Sequence, residues 1–213
     1  MEANIYKIDP WEIIEEGWDT SKVMGSESIF SIGNGAMGQR ANFEEDFSGK
    51  TFKGSYIAGI YYPDKTKVGW WKNGYPEYFA KVINAPSWIG ISILIDGIPL
   101  DLNKVDKIEK FERKLDMKNG LYERSISIIT NDNLKVEIDS KRFISMKRKS
   151  VGAISYKIRC NRDVKITLSP YIDFDVSNDD SNWDEKFWET KEKLNTQNKS
   201  LVKSKVKKTG FKV

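Results

Sequence analysis

The sequence predicts a mainly β protein, a large antiparallel β-sandwich with a short N-terminal helix. Apolar residues recur with a period of two in several segments, and turn residues separate these segments. No long segment of helical period lies between them. Strand-like segments about 10–15 residues apart, without intervening helices, favour two packed antiparallel sheets.

The clearest alternation covers residues 88–95, where four isoleucines share one face of the predicted strand. Asp96 and Gly97 follow, and this pair predicts a hairpin turn into a strand that begins at Ile98. The other predicted strands, each bounded by turn residues, cover residues 120–129, 134–138, 151–160 and 164–171.

The two ends of the chain have a different pattern. Asp9 is the expected N-cap and Pro10 the first residue of a helix that ends at Gly17. Residues 175–189 are acidic and aromatic, which predicts a long loop with a helical turn at 184–190, and residues 200–213 predict a further hairpin. Because no linker or repeat divides the chain, we expect one domain over residues 1–213 that is truncated at its C-terminal end.

Composition excludes several classes of function. The 35 basic residues are interspersed with 31 acidic ones, which argues against a nucleic-acid partner. The sequence contains no histidine, which excludes histidine-dependent nucleophiles and histidine zinc sites within this chain. A single cysteine, Cys160, fits a reducing cytoplasm. The N-terminus shows no signal-peptide pattern and the longest apolar run is too short to span a membrane, so we expect a cytoplasmic protein without a membrane partner.

Gly33, Gly35 and Gly38 match the pattern G-x-G-x-x-G of dinucleotide-binding loops. That function requires a helix directly after the last glycine, and residues 39–56 have no apolar stripe of helical period. The pattern therefore favours a glycine-rich turn between strands, and we predict no organic cofactor.

Clusters of carboxylates offer two weaker possibilities. Glu44, Glu45 and Asp46 could include a glycosidase acid or base, if a second carboxylate lay nearby in space. The acidic residues of the segment after Tyr171 could bind calcium, but they do not fit the EF-hand pattern, and we predict no metal site. This second cluster contains Asp173, Asp175, Asp179, Asp180 and Asp184.

An aromatic cluster at residues 70–88 fits either of two binding roles. Its candidate contact residues are Trp70, Trp71, Tyr75 and Tyr78. Aromatic rings stack on sugars and also enrich protein interfaces, and interfaces favour Trp and Tyr whatever the ligand. We therefore favour a domain interface over direct sugar contact, and a stand-alone carbohydrate-binding module remains the alternative.

The segment at residues 27–45, ESIFSIGNGAMGQRANFEE, resembles the signature ETLF-x-LGNG-x-x-G-x-RG-x-x-EE of glycoside hydrolase family 65. Residues 54–61, 84–88, 96–97, 113–116 and 142–145 resemble further family motifs in the same order. Ala41 departs from the usual glycine after the arginine.

The resemblance implies the N-terminal super-sandwich domain of an inverting disaccharide phosphorylase. Family members act on α-glucosides, and the similarity points to maltose, with kojibiose or trehalose phosphorolysis, or hydrolysis, as alternatives. It implies inorganic phosphate as co-substrate, no other cofactor, and a homodimeric full-length enzyme. The catalytic glutamate belongs to an (α/α)6 barrel that this chain does not match, so we assign no catalytic residue here. We expect Arg40 and Glu44 to act as a pair that ties their loop to the sandwich or to the barrel.

Overall fold

A computed structural model of the chain describes residues 6–67, 74, 76–179 and 185–213. These residues form two compact units. The first contains Met1–Lys53 and Ile89–Tyr171, and the second contains Gly54–Trp88 and Ile172–Val213. No linker-like composition marks the sequence where the chain passes from one unit to the other.

Strands dominate the described residues, which confirms the mainly β prediction. The elements in chain order are β1 Tyr6–Ile8, β2 Glu12–Glu16, α1 Val23–Ile29, β3 Ile32–Gly33, β4 Met37–Gln39, β5 Ser55–Ile57, β6 Tyr61–Lys65, β7 Tyr78–Val82, β8 Ser87–Ile95, β9 Ile98–Pro99, β10 Lys107–Asp116, β11 Leu121–Ile129, β12 Lys135–Ile144, β13 Gly152–Cys160, β14 Ile166–Asp173, β15 Trp188–Thr196 and β16 Lys199–Val206.

A six-stranded antiparallel sheet with the order β1-β2-β10-β11-β12-β13 forms the frame of the first unit. On one face, Phe111, Ile126 and Ile138 lie directly opposite one another on adjacent strands. They share a buried core with Ile91 and Ile93 of β8. Burial of each such side chain contributes about 1.5–3 kcal/mol, so this core is the main source of stability for the unit.

The predicted N-terminal helix at residues 9–17 is wrong. Asp9 and Pro10 instead form the turn between β1 and β2, where the Asp9 carboxylate accepts a hydrogen bond from the backbone of Trp11. Pro favours such turns as strongly as it favours a first helical position, so the pair fits both structures. Pairing with β10 decides the outcome because it satisfies the backbone hydrogen-bonding groups of β2, and it places Glu15 beside Arg113. The helix that does form, α1, comes later in the chain and has seven residues.

The strands predicted from alternation are confirmed, including the hairpin between β8 and β9. Asp96 and Gly97 have φ values of 50° and 83°, as a tight two-residue hairpin turn requires. The helical turn predicted at 184–190 is wrong, because residues 185–187 are not helical and residues 188–190 begin strand β15. Its first residue, Asp184, lies outside the described residues.

The second unit has its own apolar core, formed by strands β6, β15 and β16 and their connections. Tyr62 and Phe187 contact each other with ring centroids 4.8 Å apart. The indole nitrogen of Trp188 donates a 2.7 Å hydrogen bond to the carbonyl oxygen of Asn84, so β15 meets one of the segments that carried the family resemblance. Across the described part of the chain, no helix is long and apolar enough to cross a membrane.

Candidate functional site

The glycine motif forms a tight antiparallel hairpin between β3 and β4. Ile32 pairs with Gln39 and Gly33 pairs with Gly38, so the motif neither opens a helix nor joins parallel strands. A Cβ atom at Gly33 would lie 3.1 Å from the carbonyl oxygen of Met37, which explains the need for glycine there. The prediction of a turn between strands is confirmed, and the dinucleotide-binding interpretation is wrong.

Asn34 fixes this hairpin from within and attaches it to the large sheet. Its side-chain oxygen accepts hydrogen bonds from the backbone nitrogens of Ala36 and Met37, at 2.9 and 2.8 Å. Its side-chain nitrogen donates to the carbonyl oxygens of Ser145 and Lys149, at 2.7 and 3.0 Å. One amide therefore holds together the glycine hairpin and the turn after β12.

Arg40 and Glu44, the residues expected to tie the motif loop to its surroundings, bind different partners. Arg40 donates to the hydroxyl of Ser28 at 2.5 Å and to the carbonyl oxygen of Met24 at 3.3 Å, so it holds the loop to α1. Glu44 points into the interior of the first unit, with a relative exposure of 1%. Neither residue forms a pair with the other.

Glu44 and Glu45 meet a row of polar side chains that crosses five strands of the six-stranded sheet. Each member lies directly opposite the next on the neighbouring strand. In order across the sheet, the row consists of Glu15, Arg113, Arg124, Ser140 and Tyr156. The neighbouring row on the same face contains Phe111, Ile126, Ile138 and Ile158, so the polar row borders the apolar core.

Arg124 is the centre of this arrangement. One of its terminal nitrogens lies 2.9 Å from a carboxylate oxygen of Glu44, and 2.5 and 2.7 Å from the two carboxylate oxygens of Glu45. Ser140 donates to Glu44 at 2.8 Å, and the Tyr156 hydroxyl donates to Glu45. Every oxygen of the two carboxylates therefore has a partner within the unit.

Two further arginines complete the charge balance. Arg113 contacts Glu15 through its Nε at 2.6 Å and lies over the ring of Phe111, 4.8 Å from the centroid. Arg142 lies 3.7 Å from a carboxylate oxygen of Glu44 and donates to the carbonyl oxygen of Asn42 at 3.1 Å. Three buried arginines thus face three buried glutamates, as burial of charged groups requires.

The pKa values of these groups reflect burial opposed by neighbouring charges. Burial alone would raise the pKa of Glu44, but Arg142, Arg124 and the Ser140 hydroxyl together hold it below its usual value. Glu15 has a raised pKa because burial outweighs the attraction of Arg113. Burial and the nearby Glu45 raise the pKa of the Tyr156 hydroxyl.

This geometry is poorly suited to acid–base chemistry. A general acid must hold a proton near neutral pH and reach its substrate. Glu44 has a lowered pKa and is almost fully buried, and Glu45, with an exposure of 4%, is engaged by Arg124 and Tyr156. The cluster can instead fix the position of the motif loop on the sheet. The sequence did not reveal that the arginines and Tyr156 bind these glutamates, because the partners lie about 80 to 110 residues apart.

Of the predicted aromatic contact residues, Tyr78 is described and Trp70, Trp71 and Tyr75 lie outside the described residues. Tyr78 begins β7 and is 47% exposed. It lies opposite Lys65 on the face of the β6–β7 hairpin that also carries Tyr61 and Val82.

Neither acidic cluster forms a cation site within the described part of the chain, where no group of three metal-binding side chains occurs. Asp175 forms an ion pair with Lys186 at 2.7 Å, and Asp173 accepts a hydrogen bond from the backbone of Asp175. Asp46, the third acidic residue of the motif, pairs through its backbone with Asp101. Asp180 and Asp184 lie outside the described residues.

Comparison with known proteins identifies the family. Residues 13–213 match the family described as "Glycosyl hydrolase family 65, N-terminal domain". The chain belongs to glycosyl hydrolase family 65. The resemblance inferred from the motifs is therefore confirmed.

Two of the similar proteins are disaccharide phosphorylases. The chain is 46% identical to maltose phosphorylase of Bacillus subtilis over 194 residues, which cover 91% of this chain and 25% of that enzyme. It is 34% identical to α,α-trehalose phosphorylase of Thermoanaerobacter brockii over 182 residues, covering 82% of this chain and 23% of that enzyme. The chain thus spans about a quarter of the length of these curated relatives.

A solved structure described as a kojibiose phosphorylase from the human microbiome has the same fold. It matches with a TM-score of 0.84 and 29% sequence identity, covering 96% of this chain and 27% of that structure. The chain is therefore the N-terminal domain of the family, and of these three relatives maltose phosphorylase has the highest sequence identity to it.

Proposed function

We propose that this chain is the non-catalytic N-terminal domain of an inverting phosphorylase that converts maltose and phosphate into β-glucose 1-phosphate and glucose. The supporting observation is its 46% identity to the Bacillus subtilis maltose phosphorylase over 91% of the chain. Identity to the trehalose phosphorylase is 34%, and to a kojibiose phosphorylase of Thermoanaerobacter brockii it is 33%. We therefore place phosphorolysis or hydrolysis of these other disaccharides second to phosphorolysis of maltose.

The reaction requires a general acid and a bound phosphate, and we place both in the part of the enzyme that this chain does not cover. A glutamic acid there protonates the glycosidic oxygen of maltose, and glucose leaves. A phosphate oxygen attacks the anomeric carbon from the opposite face and forms the new C–O bond with inversion. No cofactor is needed, because the proton comes from the acid and the nucleophile is the co-substrate.

The role of this chain is to brace the catalytic part and the dimer of the cytoplasmic enzyme. The buried state of Glu44 and Glu45 supports a structural role, because both carboxylates are occupied by Arg124 and its neighbours. The motif that identifies the family thus maintains the fold of the first unit.

The test compares this chain with the product of the complete reading frame that contains it. Each protein is incubated with maltose, with and without inorganic phosphate, and glucose 1-phosphate is measured. We expect phosphate-dependent product from the longer protein and none from this chain. Parallel reactions with kojibiose and trehalose establish the linkage. Product formed by this chain alone would overturn the non-catalytic assignment.

A stand-alone carbohydrate-binding role is the second candidate. The observation that favours it is the exposed face of the β6–β7 hairpin, where Tyr61 and Tyr78 are 43% and 47% exposed. Aromatic rings in such positions can stack on the C–H faces of sugars. Titration of this chain with maltose, followed by tryptophan and tyrosine fluorescence, tests the idea, and an unchanged spectrum at saturating sugar would exclude it.

A further inference from the structure

One end of the six-stranded sheet carries large apolar side chains in contact with solvent. We call this surface the methionine face. It consists of Trp11, Met117, Phe143, Met146 and Val151, with relative exposures of 56%, 46%, 42%, 74% and 41%. Large exposed apolar patches are rare on soluble domains, and where they occur they mark interaction sites.

Four members of the methionine face lie in three turns at the same end of the sheet, and Phe143 lies in β12 just before the third turn. The backbone nitrogen of Met117 donates to the carbonyl oxygen of Trp11, which joins the turn after β10 to the turn after β1. The backbone nitrogen of Ser145 donates to Val151 across the turn after β12. Pairing of β2, β10, β11 and β12 places these three turns side by side at one end of the sheet.

A groove of about 510 Å³ runs through this face. Met117, Phe143 and Met146 line it, together with Ile32 and Gly33 of the glycine hairpin. The identifying motif of the family thus forms one wall of the groove, fixed there by Asn34. A recess of this kind accepts side chains that project from a partner.

The rim of the groove is basic. Lys118, Lys147, Arg148 and Lys149 are exposed on the turns after β10 and β12. Across the part of the chain that the structure describes, none of these four side chains forms an ion pair, although many other surface lysines do. Asp116 is close by in sequence, but its carboxylate accepts two hydrogen bonds from Asn119. The rim therefore favours a partner with carboxylates.

A second copy of the chain fits this surface poorly. A symmetric dimer would place the basic turn of one copy against that of the other, and like charges across an interface oppose association. A flat lipid surface would contact the projecting Met146 but would not fill a recess. Protein interfaces, in contrast, are enriched in aromatic residues, Met and Arg, which is the composition seen here.

We propose that the methionine face is the docking surface for the remainder of the phosphorylase, through a segment that carries apolar anchors flanked by carboxylates. The inference rests on the proposed function, because its occupant belongs to the same longer enzyme. The chain spans a quarter of its relative's length, so the larger part of such an enzyme is available to cover the groove.

Methionine oxidation tests the proposal directly. This chain and the longer enzyme are each treated with hydrogen peroxide, and oxidation of every methionine is followed by peptide mass spectrometry. In this chain, we expect Met117 and Met146 to oxidise faster than the half-buried Met24. In the longer enzyme, their oxidation should slow by at least about tenfold, because it then requires local separation of the two surfaces. Equal rates in the two proteins would overturn the inference.

Substitutions separate apolar docking from general destabilisation. Met146→Asp should leave the melting temperature of this chain unchanged and lower that of the longer enzyme, because only there is the side chain covered. Leu194→Asp, at a β15 position that is 50% exposed, is the matched control and should have no such selective effect. An equal effect of Met146→Asp on both proteins would contradict the proposal.

Charge reversal tests the predicted carboxylates. The double variant Lys147→Glu with Lys149→Glu should restore rapid oxidation of Met146 in the longer enzyme, whereas Lys193→Glu with Lys199→Glu should not. If Met146 of this chain became protected from oxidation as the concentration rose, and the chain had the mass of a dimer, the occupant would be a second copy. If this chain sedimented with phosphatidylserine vesicles, the occupant would be a lipid surface. Either result would overturn the proposal. Protected methionines in an enzyme that forms no glucose 1-phosphate would instead refute the proposed function alone.

Discussion

One terminal nitrogen of Arg124 contacts both carboxylate oxygens of Glu45, at 2.5 and 2.7 Å, with both side chains buried in the first unit. Glu45 comes from the motif loop and Arg124 from the middle of the six-stranded sheet. This ion pair therefore joins the sequence signature of the family to the frame of the domain.

Replacement of Arg124 should be strongly destabilising. Arg124→Met removes the main partner of Glu44 and Glu45 and leaves two buried carboxylates undercompensated. Loss of one partner from a buried ion pair costs about 3–5 kcal/mol. Urea unfolding measures the effect. Arg159→Met is the control, because Arg159 makes its ion pairs at the surface, where they contribute less than about 1 kcal/mol. Similar losses in both variants would contradict the buried network.

Two glutamates should change stability with pH in opposite directions. Glu44 has a lowered pKa in the folded state, so its contribution is present above its unfolded value of 4.5 and is lost as pH falls through the folded pKa. The free-energy difference between the wild type and Glu44→Gln should therefore shrink on acidification.

Glu15 has a raised pKa, so the folded state binds its proton more tightly than the unfolded state does. Stability from this group is greatest below 4.5 and declines as pH rises through the folded pKa. The wild type should thus lose stability relative to Glu15→Gln over that range. Urea unfolding of the three proteins on both sides of pH 4.5 measures these slopes, and slopes of the same sign would contradict the assignment.

Two tyrosines offer a matched test of buried hydroxyls. Among the described residues, the Tyr122 hydroxyl is buried without a hydrogen-bond partner, whereas the Tyr156 hydroxyl donates to Glu45. A hydrogen bond to a charged group contributes about 1.5–3 kcal/mol, so Tyr156→Phe should destabilise the chain by that amount. Tyr122→Phe should be neutral or stabilising. Thermal or urea unfolding measures the stability of both variants. A larger loss of stability in Tyr122→Phe than in Tyr156→Phe would contradict the interpretation.

The amide of Asn34 should be needed to hold the glycine hairpin against the turn after β12. Asn34→Ala removes four hydrogen bonds and should cost about 2–6 kcal/mol, at roughly 0.5–1.5 kcal/mol for each bond. Hydrogen exchange at Ala36 and Met37 should accelerate, since both amides lose their acceptor. Asn198→Ala, at the exposed turn between β15 and β16, is the control. Unchanged exchange at Ala36 and Met37 would show that the hairpin is held by other contacts.

Strands with one apolar and one polar face could be predicted from the sequence because their alternation is visible locally. Strand β12 is longer than its apolar alternation predicts. The predicted strand stops at Ile138, yet the observed strand continues to Ile144, because its next inward-facing residues are Ser140 and Arg142. A buried serine and arginine look like surface residues until their partners are known.

The first strands and the candidate site depend on contacts that are distant in sequence. The segment around Asp9 and Pro10 fits both a helix start and a turn, and only pairing with β10 distinguishes the two. Likewise, the Glu45 carboxylate was visible in the motif, but Tyr156, which binds it, lies 111 residues later. Local patterns carry no information about such pairs, although they do identify the family through its motif.

The row of polar side chains across the sheet has a consequence for how the strands choose their alignment. In a purely apolar sheet, a strand shifted by two residues would still bury isoleucine and valine and would lose little energy. Here the same shift in β11 would move Arg124 away from Glu44 and Glu45 and place Ile126 beside them. Buried carboxylates without a cation are costly enough to reject that arrangement. The buried charges therefore select one strand register out of several that the apolar residues alone would tolerate.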